Sequence, residues 1–191
     1  MANVFAIHSV GNSLAAFLRN TYPAQIGVVD MPNCNFELVS SGQLAGDQDD
    51  GTRITLYLHR ITVNEHSRHN AGKSDKTLSL DLHYLLTAWA ANPLDEQVTM
   101  AWAMRQLHLH PLLDVSSLSP EAGWHRGDSV QVIPSELSNE DVMRIWDALT
   151  PAYRLSASYV ARVVQLEPDS DLREFAPVVA RRLAVGEAVL P

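Results

Sequence analysis

The spacing of apolar residues changes several times along the chain, and each change predicts an element. Ile7, Val10, Leu14, Phe17 and Leu18 recur at helix spacing, and Pro23 ends the run. Residues 26–30 (IGVVD) and 36–40 (FELVS) read as short strands. Between them and the next strand lies SSGQLAGDQDDGT, a stretch rich in Gly and Asp that predicts an exposed hairpin loop. Residues 54–65 (ITLYLHRITVNE) alternate and are rich in β-branched and aromatic residues, which predicts a strand, and residues 64–76 are a polar loop. In LSLDLHYLLTAWA (78–90), Leu78, Leu80, Leu82, Tyr84 and Leu86 share one face, and Ser79, Asp81, His83, Leu85 and Thr87 share the other. Leu85, Ala88 and Trp89 also fit helical spacing, so this run reads as a strand throughout or as a strand passing into a helix.

Residues 94–109 predict a helix whose stripe is Val98, Ala101, Trp102 and Arg105, continued by Leu109, with acidic residues in the first turn to suit the helix dipole. Residues 116–128 read as loop and 129–133 (SVQVI) as strand. SNEDVMRIWDALTP carries the clearest helix: Ser138 is a cap, Asp141 fills the capping-box position, and Val142, Ile145, Trp146 and Leu149 form the stripe. Residues 154–168 alternate over a length that suits a central strand. Pro177 argues against a continuous helix in the tail. The sum is an α/β (α+β) single domain over residues 1–168, with a mixed, mostly antiparallel sheet, two to three helices on a face, and an extended C-terminal arm over 169–191.

Composition narrows the function. The 191 residues are enough to bury a sizeable core without staples. Charged residues make up 19%, below the usual ~25%, which fits a surface that partly faces protein. The net charge is −8 and the basic residues form no stripe, so nucleic acid is an unexpected partner. One cysteine, Cys34, leaves no intrachain disulfide. The N-terminus lacks the basic and long apolar regions of a signal peptide, and no stretch approaches the ~20 apolar residues of a membrane span, so a cytosolic protein is expected.

Candidate chemistry is sparse. Ser79, Asp81 and His83 alternate on one strand face, and a carboxylate can orient an imidazole for base catalysis. A straight row on one strand does not converge as a triad does, and no Gly-x-Ser-x-Gly elbow occurs. A polar sheet face covered by a loop or partner is the better reading, and a small histidine-dependent hydrolase the weaker one. Gly72-Lys73-Ser74 lacks the upstream glycine of a phosphate loop, since position 67 is Ser. His66 with His69, and His108 with His110, lack the further ligands zinc needs. Neither metal nor cofactor is expected. Trp102 and Trp146 belong to helix stripes and Trp89 closes the leucine strand, which makes all three core residues. Trp124 sits in a glycine-flanked loop, where it is either an anchor or an interface residue.

Four segments carry a resemblance: LYLHRITVNEHSRHN, LSLDLHYLLTAWA, MRQLHLHPLL and LSNEDVMRIWDALTPAYRLSASYVARVV. Their order and spacing resemble the cap, or tail-terminator, family of phage-tail-like contractile injection systems of the antifeeding-prophage type, over residues 5–182. The resemblance implies a mixed sheet with flanking helices and no enzymatic activity. It implies a hexameric ring that binds the last ring of sheath and inner tube, stops polymerisation, and assembles in the cytoplasm as part of the particle. The alternative it leaves open is a tail-completion protein or an adaptor to a neck or membrane. The acidic loop at residues 46–51 matches no motif of that family. Exposure-prone composition selects the contact candidates: Arg68, His69 and Lys73 in the polar loop, Trp124 and Arg126 in the tryptophan loop, and Arg181 and Arg182 in the arm.

Overall fold

In the computed structural model, residues 2–45, 51–64, 77–149 and 151–166 are described, apart from the side chain of Val163. Helix α1 (Ala6–Thr21) is followed by a small hairpin, β1 (Gln25–Ile26) and β2 (Val29–Asp30), then β3 (Asn35–Val39) and a short α2 (Ser41–Ala45). Two long strands, β4 (Arg53–Val63) and β5 (Leu78–Trp89), lead to α3 (Pro93–Leu109) and β6 (Leu112–Asp114). A 3-10 turn (Pro120–Ala122), β7 (Ser129–Pro134), α4 (Asn139–Ala148) and β8 (Ser156–Leu166) complete the described chain.

Six strands form one sheet in the order β3-β4-β5-β8-β7-β6. β8 is central, as its long alternating sequence predicts. The β3–β4 pair is parallel and the other four are antiparallel. This corrects the hairpin expected over residues 40–52. Ser41–Ala45 does not turn the chain straight back; it forms α2, and a parallel neighbour needs such a crossover. Residues 46–50 lie outside the described residues.

The period-2 rule holds along β5, which stays a strand to Trp89. Leu80, Leu82, Tyr84, Leu86 and Ala88 join the main core with Val10, Leu14 and Leu18 of α1 and Met100, Trp102, Ala103 and Leu107 of α3. On the opposite face, Leu85 and Trp89 join a second core with Leu44 of α2 and Trp146 of α4. The helices therefore cover both faces of the sheet, not one.

The cap expected at Ser138 is present. Its hydroxyl accepts from the Asp141 amide at 3.1 Å and donates to the Asp141 carboxylate at 2.7 Å. The stripe expected on α3 is out of phase. Ala101, Arg105 and Leu109 are exposed, while Thr99, Met100, Trp102, Ala103 and Leu107 are buried. Apolar residues surround this helix too evenly for periodicity to select a face, and packing under the aromatic cluster of Tyr22, Phe36 and Trp102 selects it instead. Strand β6, over residues that the sequence reading left unassigned, is three residues long, too short to show a period.

Candidate functional site

Two of the four segments that carry the resemblance, the leucine strand and the run through α4, meet in the second core. Trp89, from the leucine strand, stacks edge-on to Trp146 at 6.1 Å, and Trp146 in turn to Tyr153 at 6.0 Å. The guanidinium groups of Arg53 and Arg154 lie 5.2 and 5.4 Å from the Trp89 ring, a cation–π arrangement on both. The indole N–H of Trp89 donates to Thr55 Oγ1 at 2.9 Å. Trp89, Trp146, Tyr153 and Arg154 are thus one packing unit that clamps α4 to the sheet.

Beyond that unit, the same sheet face carries the Asp81 and His83 row, and two β-bulges shape it. One lies in β4 between Leu58 and Arg60, the other in β8 opposite Asp81. The first absorbs an extra residue, so His59 and Arg60 both fall beside His83, and Ile61 returns to the main-core face. Asp81 accepts from Asn64 Nδ2 at both carboxylate oxygens, 3.1 Å each, and Arg162 Nε lies 3.7 Å from it. His83 Nε2 is 3.0 Å from Thr62 Oγ1, and the His59 and His83 rings lie 6.2 Å apart. Burial is the main force lowering both histidine pKa values. His59 falls to about 4, helped by His83 and Arg60. His83 falls through burial and Arg60, with Asp81 opposing. Both imidazoles are neutral at pH 7.

This arrangement does not converge as a triad. Asp81 binds Asn64 and Arg162, His83 binds Thr62, and Ser79 is buried beside them. The row is a hydrogen-bonded polar surface flanked by two exposed arginines, Arg60 and Arg162. Sequence reasoning missed His59, Arg60, Thr62, Asn64 and Arg162 as its members. A signal was present: two consecutive polar residues, His59-Arg60, interrupt strict alternation, as a bulge demands.

Trp124 is an anchor. It is half-buried against the main core and its indole N–H donates to Ser9 Oγ at 2.9 Å. Ser9 Oγ donates to the Ser119 carbonyl at 2.8 Å, and the Ser119 amide donates to Ser13 Oγ at 2.8 Å. Small serines on α1 thereby hold the loop of residues 119–124, and Arg126, two residues beyond Trp124, is exposed. Arg68, His69, Lys73, Arg181 and Arg182 lie outside the described residues, as do His66, the Gly72-Lys73-Ser74 run and the arm at 169–191. His108 and His110 are both exposed at the end of α3, and among the described residues no three metal-ligating side chains cluster. No described helix is long and apolar enough to cross a membrane.

A family model described as the Pvc16 N-terminal domain matches residues 9–181. No curated protein matches the sequence. Among solved structures, the chain is similar to the sheath/tube terminator, in its extended state, of an extracellular contractile injection system, PVC. The TM-score is 0.57 at 20% identity, over 96% of this chain and 64% of that one. It is also similar to the tube-terminating cap of the anti-feeding prophage, with TM-score 0.53 at 14% identity, over 92% of this chain and 60% of that one. The chain spans less than two thirds of the length of either, and at these identities the likeness is one of fold.

Proposed function

The chain belongs to the Pvc16 N-terminal domain family, and on that premise we propose that it is a structural cap of a contractile injection system. It would bind the last ring of sheath and inner tube and end their polymerisation. The observation that carries this reading is the fold shared, across more than nine-tenths of the chain, with two proteins that are themselves terminators. The working unit is a ring of copies, hexameric by resemblance, assembled in the cytoplasm on a growing particle. No enzymatic step is assigned, because Asp81 and His83 spend their hydrogen bonds on Asn64 and Thr62. Nucleic acid is not assigned as a partner, in keeping with the net charge of −8.

Two exposed surfaces support the choice of contacts. The polar sheet end with the exposed Arg60 and Arg162, and the hydrogen-bonded Trp124 loop with the exposed Arg126, suit docking to a preformed ring. Arg68, His69, Lys73, Arg181 and Arg182 are proposed as contacts on composition alone. The test is particle length by negative-stain electron microscopy in producing cells with and without the gene for this chain. Scattered lengths, or loss of stable sheathed particles, is the expected result. Particles of unchanged length and sheath would remove the cap assignment.

A further inference from the structure

Strand β4 is covered on its outer side only in part. β3 pairs with Arg53–Tyr57, and the chain then leaves the sheet to enter α2. No described residue pairs with the outer side of β4 from Leu58 to Val63. A groove of about 620 Å³, lined by Val39, Ser40, Tyr57 and Leu58 among others, opens where β3 turns off, so the lane that it vacates is clear at its start.

The backbone of this free edge faces outward at two residues. The Asn64 amide donates to the carbonyl of Ser79, the residue next in register on β5, at 2.8 Å. Hydrogen-bonded and non-hydrogen-bonded positions alternate along an antiparallel pair. Thr62 therefore directs its N–H and C=O at β5, as Asn64 does, and Ile61 and Val63 direct theirs away. The side chains of Ile61 and Val63 stand opposite Leu82 and Leu80 of the main core and are 46% and 51% exposed. Proteins guard such an edge with a bulge or a charge, and here both fall on His59 and Arg60. Beyond them, Ile61-Thr62-Val63 is uncharged and β-branched throughout, the composition that favours pairing.

We propose that this edge pairs with itself: β4 of one copy lies antiparallel to β4 of a second, about a two-fold axis at Thr62. The outward groups fix the register. The axis sets Ile61 opposite Val63 of the second copy, and Val63 opposite its Ile61, so every outward N–H of these residues meets an outward C=O. No other register pairs both residues in both copies. Thr62 then faces Thr62, a favourable cross-strand pair, and Arg60 faces the neutral Asn64, so no like charges meet. The edge is its own complement, which is why the occupant is a second copy. Three residues on each edge cover far less than the ~800 Å² per partner of a self-sufficient interface, so the pair is weak and forms at high protein concentration. A two-fold pair closes at two copies and adds no third, so it is a state of the free chain, separate from any ring. The inference does not rest on the cap reading.

The test is oxidative cross-linking of the purified full chain carrying Thr62→Cys. The axis brings the two Thr62 Cα atoms to about 4.5 Å, inside the disulfide range of ~4.4–6.8 Å. The two Arg60 positions lie about 14 Å apart at ~3.4 Å per residue, so Arg60→Cys is the control. Cys34 is buried and its thiol pKa is raised to about 12, so it stays silent. A covalent dimer is expected from Thr62→Cys at least ~10-fold faster than from Arg60→Cys. Adding Val63→Lys should abolish it and leave the melting temperature unchanged, because the side chain is half-exposed and a lysine guards the edge. Sedimentation of the wild-type chain in a concentration series needs no cysteine: the mass should rise toward two copies and no further, and Val63→Lys should stay monomeric. Absence of the dimer in both measurements overturns the inference. So does equal linking by Arg60→Cys, or a dimer that survives Val63→Lys. Thr62→Cys linking to a different protein in a lysate of producing cells, in place of itself, also overturns it and gives the edge to that partner's strand.

Discussion

Acid should loosen this fold through His59, and the sign follows from its burial. The pKa of His59 falls from 6.5 to about 4 on folding, chiefly because burial penalises the imidazolium, with His83 and Arg60 adding to it. The unfolded chain therefore binds the extra proton first. The contribution is fully present above pH 6.5 and is lost as pH falls from there toward 4. The full shift corresponds to an upper bound of about 3.4 kcal/mol at ~1.36 kcal/mol per pH unit. Between pH 7 and pH 5 about 1.8 kcal/mol of that would be lost, and solvent screening of a half-buried group reduces it to about 1 kcal/mol. For a domain of this size that is a fall of roughly 2–4 °C in Tm. His83 adds in the same direction. The assay is thermal or urea unfolding at pH 7, 6 and 5 for the wild-type chain and for His59→Gln. Subtracting the variant's pH dependence from that of the wild type removes the other histidines. Parallel curves for the two would refute the reasoning, because His59 Nε2, buried and without a hydrogen-bond partner among the described residues, would then carry no desolvation cost.

Other outcomes follow from the two cores and the caps. Leu82→Ala and Leu85→Ala point to opposite faces of β5, and both should cost about 2–5 kcal/mol in urea unfolding, because both side chains are 0–1% exposed. A loss below about 1 kcal/mol for Leu85→Ala alone would mean that α4 does not pack as a second layer. Ser138→Ala should lose about 1 kcal/mol by removing the cap on the Asp141 amide, measured by the same unfolding curves. Cys34 should resist a thiol reagent at pH 7 in the native protein and react fully in denaturant, since burial raises its pKa to about 12; fast native labelling would contradict its placement.

The bulges show how legibility depends on local period. Ile54, Leu56 and Leu58 alternate inward, then His59-Arg60 breaks the beat and Ile61 and Val63 resume it. The extra residue was visible, but its consequence was not. Only the pairing of Arg60 with His83 tells which face receives both polar side chains. The same holds for Trp124. Its loop position was legible, and its anchoring role depends on Ser9, 115 residues away in sequence.

By itself, the sequence determined what depends on short-range chemistry. Period 2 set the faces of β5, the Ser138 and Asp141 pair set the start of α4, and alternation over a long run set β8 as a central strand. These are local because hydrogen-bonding caps and strand pleats act within a few residues. Tertiary structure decided the rest. It made β3 and β4 parallel, placed helices on both faces, and turned the buried side of α3 toward Phe36. Each of those depends on which distant surfaces remove the most apolar area from water, a sum over the whole chain that no single window contains.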